Sequence, residues 1–243
     1  MRRMLVWSAV LLFLLSLLAS CAKTVLPPKA DYTVETVTEY RSDNGNRLQL
    51  MYPAISGHED KDTEARVNAM LAANAMEMYQ REDMLSSAGG GYTYAATEVQ
   101  VTLQTKGFLS GYVGGVISAD STGYRAYFSY TFNCDTEDCV LYSAEELIAD
   151  YESLAKWFQK GRFTQHFGYP ALHEQIALSD MISQYKEEYG IYPCFYFTED
   201  SLGILVEVIP LLDGYAGYTL PVSQAIKTLN KEIPIVKLYL REN

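Results

Sequence analysis

The residues closest to a catalytic motif are His173 and Glu174, which begin like the metal-binding helix of a zinc protease. That helix requires a second histidine one turn later, where this chain has Ala177. The other histidines, His58 and His166, are not spaced from His173 in any common zinc-binding pattern. The chain also lacks the Gly-x-Ser-x-Gly turn that presents a nucleophilic serine. We therefore expect no catalytic residues, no metal and no cofactor, and we expect the protein not to be an enzyme.

A second candidate for chemistry is the short loop from Cys134 to Cys139, which contains three carboxylates. Asp135, Glu137 and Asp138 could collect a calcium ion, but carboxylates on a tight turn are usually hydrated, so we predict no metal here. Outside the cytoplasm a close cysteine pair can form a disulfide, and a bridge between Cys134 and Cys139 would pin the turn between two strand ends. The sequence leaves open whether the pair is bonded.

The N-terminus carries the one motif that specifies a covalent modification. Arg2 and Arg3 precede an uncharged apolar run, which ends in Leu18-Ala19-Ser20-Cys21. This is a lipobox, the pattern in which the cysteine receives a lipid and the preceding peptide is removed. The run is shorter than the roughly 20 residues of a membrane-spanning helix. We predict a signal peptide over residues 1–20, lipidation of Cys21, a tether over residues 21–30, and a location on the outer face of a membrane.

The net charge of the chain indicates which classes of molecule it can bind. The formal net charge is −11, and removal of Arg2 and Arg3 with the signal peptide would leave 17 basic and 30 acidic residues, a net charge of about −13. Such a chain is repelled by nucleic acid and by anionic lipid head groups. We therefore expect no nucleic-acid partner, contact with the membrane through the lipid alone, and a preference for basic protein partners.

The elements that must position any site follow from residue periodicity. Alternation predicts strands, and apolar residues at helical spacing predict helices. Asn44-Gly45 is a strong turn signal between the first two strands. The predicted strands are 32–40, 47–52, 92–106, 108–118, 123–134, 192–197, 203–209 and 233–240. The predicted helices are 62–82, 143–158, 170–188 and 222–229. The fold class is α+β, an antiparallel, meander-rich sheet with several helices packed on it.

The C-terminal part resembles a known family. The aromatic strand Phe195-Tyr196-Phe197, an acidic turn, Pro210 and the run Asp213-Gly-Tyr-Ala-Gly-Tyr-Thr-Leu-Pro221 are similar to the RsiV-like C-terminal domain. Upstream, Tyr52-Pro-Ala-Ile-Ser-Gly57 and Asn68 resemble the PdaC-type domain that accompanies it. The family usually has a histidine in its central meander, and this chain has none there. The resemblance implies a PdaC-type module over residues 31–142 and an RsiV-like module over residues 143–243.

The resemblance also implies a function, namely a non-enzymatic cell-envelope module that binds or senses peptidoglycan fragments or a wall-active protein such as lysozyme. Tyrosines beside glycines in expected loops are the candidate ligand contacts: Tyr112, Tyr215 and Tyr218. The same glycines and two prolines can instead form a structural corner: Pro210, Gly214, Gly217 and Pro221. Two alternatives stay open. One is a hydrolase of wall glycans that uses two carboxylates, which need not be near each other in the chain. The other is a structural subunit of an envelope complex.

Overall fold

The computed structural model describes residues 28–43, 45–80, 91–119, 123, 125–168, 194–207 and 215–240. The predicted signal peptide, Cys21 and most of the predicted tether lie outside these ranges. So do the predicted helix at 170–188 and two corner residues, Pro210 and Gly214. Within the described ranges the chain forms two sheets and five helices, which confirms the predicted α+β class.

The first sheet has six strands in chain order. They are β1 (Thr33–Asp43), β2 (Asn46–Ser56), β3 (Tyr92–Gln104), β4 (Phe108–Ala119), β5 (Arg125–Asp135) and β6 (Val140–Leu141). The β1–β2 hairpin turns at Gly45, whose φ of +87° suits glycine. All neighbours are antiparallel except β2 and β3, which pair in parallel through Arg47, Leu48 and Gln49. The prediction of antiparallel pairing was wrong at this one place, because a helix carries the chain back across the sheet before β3 begins.

That helix, α1 (Lys61–Gln80), covers one face of the first sheet. Asp60 caps its N-terminus, since its carboxylate accepts hydrogen bonds from Asp62 N and Thr63 Oγ1. Its buried stripe repeats every four residues: Thr63, Val67, Leu71, Ala75 and Tyr79. Met70, Asn74 and Met78 lie beside this stripe. They are half-buried, because the fully buried positions recur every four residues along the helix and leave these three at the edge of the stripe.

The second sheet has four antiparallel strands in the order β7-β10-β9-β8. They are β7 (Thr164–Phe167), β8 (Cys194–Phe197), β9 (Ser201–Glu207) and β10 (Tyr215–Pro221). Four short helices pack on one face: α2 (Ala144–Leu147), α3 (Tyr151–Gln159), α4 (Val222–Ala225) and α5 (Pro234–Leu240). Ser143 and Glu146 form a capping box at the start of α2. The single predicted helix over 143–158 is two helices, because Ile148 leaves the helix to bridge Leu229.

The predicted last strand at 233–240 was wrong, since this segment is α5. Pro234 stands at the first helical position, where its fixed φ and missing N–H are tolerated. Ile235, Val236 and Tyr239 point to the core at helical spacing. A short run of β-branched and apolar residues fits both the alternation of a strand and the spacing of a helix. Here the proline at the first helical position favours the helix.

The hydrophobic residues form two main clusters. One lies between the first sheet and α1 and draws on residues 32–134. The other lies between the second sheet and its helices and draws on residues 147–239, together with Leu103 and Phe108 from the first sheet. The two clusters therefore divide the chain near residue 142, and two large side chains cross that division.

Polar side chains of the first sheet bind the free edge of β8. Asn133 Nδ2 donates to Phe195 O (2.8 Å), Phe197 N donates to Ser110 Oγ (2.8 Å), and Thr102 Oγ1 donates to Phe197 O (2.6 Å). Ser110 Oγ in turn donates to Asn133 Oδ1 (2.7 Å). Ser110 and Asn133 are fully buried. These side chains replace a neighbouring strand for β8 and so fix the second sheet against the first.

At β2, too, a side chain takes the place of a neighbouring strand, and this contact leads to a testable prediction. Asn68 on α1 accepts a hydrogen bond from Ile55 N (2.7 Å) and donates one to Ile55 O (2.9 Å). We expect Asn68→Ala to lower the free energy of unfolding by about 2 kcal/mol, because two backbone groups lose their partner. Denaturant unfolding measures this, with Asn74→Ala on the same helix as the control. Equal stability of the two variants would contradict the assignment.

Candidate functional site

A cleft of about 440 Å³ lies between the two sheets. The first sheet contributes residues from β3 and β4, and the second sheet contributes residues from all four of its strands and from the β8–β9 turn. The residues that line it are Thr102, Tyr112, His166, Phe167, Tyr196, Thr198, Asp200, Ser201 and Thr219. Rings and hydroxyls dominate this lining, and one carboxylate and one imidazole join them.

An aromatic cluster forms one wall of the cleft. The Tyr112 ring centroid lies 5.3 Å from that of Tyr196, 6.2 Å from Phe167 and 6.3 Å from Tyr215. Phe167 and Tyr215 are 6.0 Å apart and meet edge to face. Edge-to-face and tilted pairs at these distances are favourable, so the rings hold one another in place. Together with Leu205 and Cys194 they make a small apolar cluster separate from the two main cores.

Glycines across the sheet make room for these rings. A β-carbon added at Gly203 would lie 2.1 Å from the Tyr196 ring, and one at Gly217 would lie 2.3 Å from the Phe167 ring. Each ring therefore lies directly against the backbone of a neighbouring strand. A β-carbon added at Gly114 would lie 2.3 Å from the Tyr215 hydroxyl oxygen and 2.9 Å from Glu98 Oε1. The glycines thus determine where the aromatic wall sits.

The polar part of the lining comes mainly from the β8–β9 turn. Asp200 Oδ1 accepts hydrogen bonds from Ser201 Oγ (2.9 Å) and Thr198 Oγ1 (3.2 Å). The backbone of this turn is anchored as well, because Val222 N donates to Asp200 O (2.7 Å). Two further lining residues pair with each other, since His166 Nε2 is hydrogen-bonded to Thr219 Oγ1. The exposed Asp200 carboxylate is therefore held by two flanking hydroxyls, and its backbone is anchored by Val222.

The tyrosines of the cleft keep their hydroxyl protons at neutral pH. Burial, together with the nearby Glu98 carboxylate, raises the pKa of Tyr112 to about 12. Burial also raises the pKa of Tyr196. Both phenols are thus neutral groups that can donate and accept hydrogen bonds.

The structure brings together two of the three predicted tyrosines. Tyr112 and Tyr215 are in the aromatic cluster, whereas Tyr218 packs edge to face on Phe158 in the second core and is 1 % exposed. The expected exposure was wrong for Tyr112 too, which is 9 % exposed. Both lie inside strands, not in loops, and so are covered by neighbouring elements. Tyr215 is half-buried.

The predicted corner is partly inside the described ranges. Gly217 lies within β10, where it accommodates Phe167, and Pro221 ends β10 directly before α4. The sequence did not single out Phe167, Tyr196 or Asp200. Alternation along Phe195-Tyr196-Phe197 could have separated Tyr196, because its two neighbours face the second core.

The acidic loop has a structural role in this fold. Asp135 is buried, and its Oδ1 accepts hydrogen bonds from Glu137 N and Asp138 N (both 2.9 Å). Cys134 and Cys139 are free thiols, so the possible disulfide between them is not formed in this structure. The hairpin register pairs Cys134 with Leu141, which leaves Cys139 in a diagonal position, and its φ of 55° turns its backbone out of the strand.

Among the described residues no helix is long and apolar enough to cross a membrane. No model of a known protein family matches the chain, and no curated protein sequence matches it either. A member of the DUF3298 family from Bacteroides fragilis NCTC 9343 superposes with a TM-score of 0.52 at 14 % identity, over 87 % of this chain and 98 % of that one. A DUF3298 family protein from Pseudomonas aeruginosa PAO1 gives a TM-score of 0.49 at 9 % identity, over 84 % and 96 %. The chain therefore has a fold similar to that of a DUF3298 family protein.

Proposed function

We propose that this protein is a lipid-anchored module of the cell envelope that binds a wall glycan in the cleft between its two sheets. The observation that carries the proposal is the cleft lining, which combines three aromatic rings with hydroxyl groups and the Asp200 carboxylate. Aromatic faces stack on the apolar faces of sugar rings, while hydroxyls and a carboxylate bind the sugar hydroxyls. The volume of about 440 Å³ is in the range of small-ligand sites.

The charge of the cleft favours one class of ligand over another. Among the described residues that line it, none is a lysine or an arginine. The chain as a whole carries a net charge of −11. Acidic ligands, such as wall peptides rich in carboxylates, would meet Asp200 without a compensating cation. Neutral sugars and sugars with a free amino group suit the site best.

Two features of the sequence support the envelope location. The lipobox that ends at Cys21 would place the folded part on the outer face of a membrane, beside the wall. The resemblance to RsiV-like and PdaC-type domains points the same way, since those domains lie outside the membrane. Both features concern the location, whereas the ligand assignment depends on the cleft.

The first experiment is a pull-down of the full chain, purified in a mild detergent, with purified peptidoglycan. We expect binding without release of soluble sugar, because Asp200 is the one carboxylate among the described lining residues and a two-acid hydrolase needs a pair. Sugar released from the wall in the same tubes would favour the hydrolase. Absence of binding would contradict the proposal.

The negative charge favours a second candidate ligand, a basic wall-active protein such as lysozyme. Binding of this kind would weaken steeply as salt is added, because opposite charges on two protein surfaces are screened. Glycan binding through stacking and hydrogen bonds would change little. The same pull-down, done at low and at high salt with lysozyme and with peptidoglycan in separate tubes, distinguishes binding of a basic protein from binding of a glycan.

A further inference from the structure

Among the described strands, β1 is an open edge of the first sheet. It pairs with β2 over its full length, from Thr33 opposite Ser56 to Asp43 opposite Asn46, and it is the outermost strand. Its side chains are mostly exposed, and Tyr40 on this strand is 77 % exposed. A long, exposed edge strand is a template on which another strand can pair.

The contacts of β2 determine which backbone groups of β1 face outward. Ile55, opposite Val34, directs its N–H and C=O to Asn68, and Met51, opposite Thr38, directs its C=O to the Tyr130 hydroxyl. Pro53, opposite Thr36, has no N–H to give. Pairs at these positions therefore share no hydrogen bonds between β1 and β2. The residues of β1 with outward N–H and C=O groups are Val34, Thr36, Thr38, Tyr40 and Ser42.

No described residue satisfies these outward groups. They are evenly spaced and are framed by charges on one face of the strand, namely Glu35, Glu39 and Arg41. Arg41 pairs with Glu39 on its own strand but keeps 48 % of its side chain exposed. A guanidinium has five N–H donors, so it can bind a second carboxylate as well.

We propose that β1 pairs antiparallel with β1 of a second copy of this chain, around a two-fold axis at Thr38. In this register each outward residue meets an outward residue: Val34 faces Ser42, Thr36 faces Tyr40, and Thr38 faces itself. About ten backbone hydrogen bonds would form between the chains. Arg41 of each copy stands directly opposite Glu35 of the other, on the same face of the joined sheet.

The charges select this register over its neighbours. A shift of the axis to Val37 places Glu35 opposite Glu39 twice. A shift to Glu39 places Glu39 opposite itself. Like charges directly opposite each other on paired strands are destabilising, whereas opposite charges stabilise the pair. Of these three registers, only the one centred on Thr38 avoids both repulsions and gains two Arg–Glu pairs. A register centred on Tyr40 would also pair Arg41 with Glu39, but it aligns only residues 37–43, whereas the register centred on Thr38 aligns the whole strand.

Sedimentation velocity of the full chain in detergent, over a concentration series, tests the proposal. We expect a dimer that Arg41→Glu weakens roughly tenfold, because two attractive pairs become repulsive. The double variant Glu35→Arg/Arg41→Glu restores the pairs in swapped form and is expected to restore the dimer. Lys231→Glu, an exposed residue of the second module, is the control for the same change of charge.

The outcomes are distinct, provided that circular dichroism shows each variant to be folded. A monomeric wild-type chain at every concentration would overturn the proposal. So would a dimer that Arg41→Glu leaves unchanged, or one that the double variant does not restore. A third variant, Thr38→Pro, removes an outward N–H that β2 does not use, and it should also give monomers.

Discussion

Asn133→Ala is expected to lower the free energy of unfolding by about 3 kcal/mol. The substitution leaves Phe195 O without the hydrogen bond that Asn133 Nδ2 donates, and it removes the acceptor of the Ser110 hydroxyl. Asn133 and Ser110 are buried, so water cannot replace the lost partners without entering the junction between the sheets. Chemical denaturation followed by far-UV circular dichroism measures the loss.

Asn230→Ala is the matched control for this variant. Asn230 Nδ2 also donates to a backbone carbonyl, Glu146 O at 2.9 Å, but this contact is exposed. Water can satisfy the carbonyl once the side chain is gone, so we expect a loss of less than about 1 kcal/mol. If Asn133→Ala cost no more than the control, the buried junction would not hold β8 in the way described.

Gly111→Ala is the second variant with a large expected effect, again a loss of about 3 kcal/mol. A β-carbon at Gly111 would lie 2.0 Å from Gln100 O and 2.5 Å from the Phe132 ring. The carbonyl belongs to the paired strand β3 and cannot turn away, so β3 and β4 would have to separate. Thermal unfolding of the purified chain measures the effect.

Gly107→Ala serves as its control. The added β-carbon there lies 3.2 Å from the Glu137 side chain, which is exposed and can move. We expect its unfolding temperature to change little. If both variants unfold at the wild-type temperature, the close approach of β3 and β4 at Gly111 is not a constraint on the fold.

Local patterns in the sequence predict most of the elements. Alternating Tyr, Val and Thr residues predict β3, β4 and β5, and the Ser143 capping box predicts the start of α2, because these signals act within a few residues. The prediction of a strand at 233–240 was wrong because its apolar residues fit the period of a strand as well as that of a helix. The parallel pairing of β2 with β3 depends on α1 packing across the sheet, which no local pattern records.

The candidate site was only partly predictable for the same reason. Tyr112 and Tyr215 stand out beside glycines, but nothing in their spacing shows that they meet across two sheets. Asn133 lies near the end of β5, yet its partner Phe195 is 62 residues away in the chain. Tyr196 and Asp200 reach the cleft because β8 docks on the first sheet, so their role follows from long-range packing.

The most direct test of glycan binding in the cleft is calorimetric titration of the full chain, in detergent, with an N-acetylglucosamine oligomer and with the matching glucosamine oligomer. Asp200→Arg places a large side chain in the cleft, and Glu199→Arg makes the same charge change on the same turn outside it. We predict that the wild-type chain and Glu199→Arg bind at least one oligomer, and that Asp200→Arg binds neither. Binding by Asp200→Arg as tight as that of the wild type would contradict the cleft as the site, and no binding by the wild type would contradict the function.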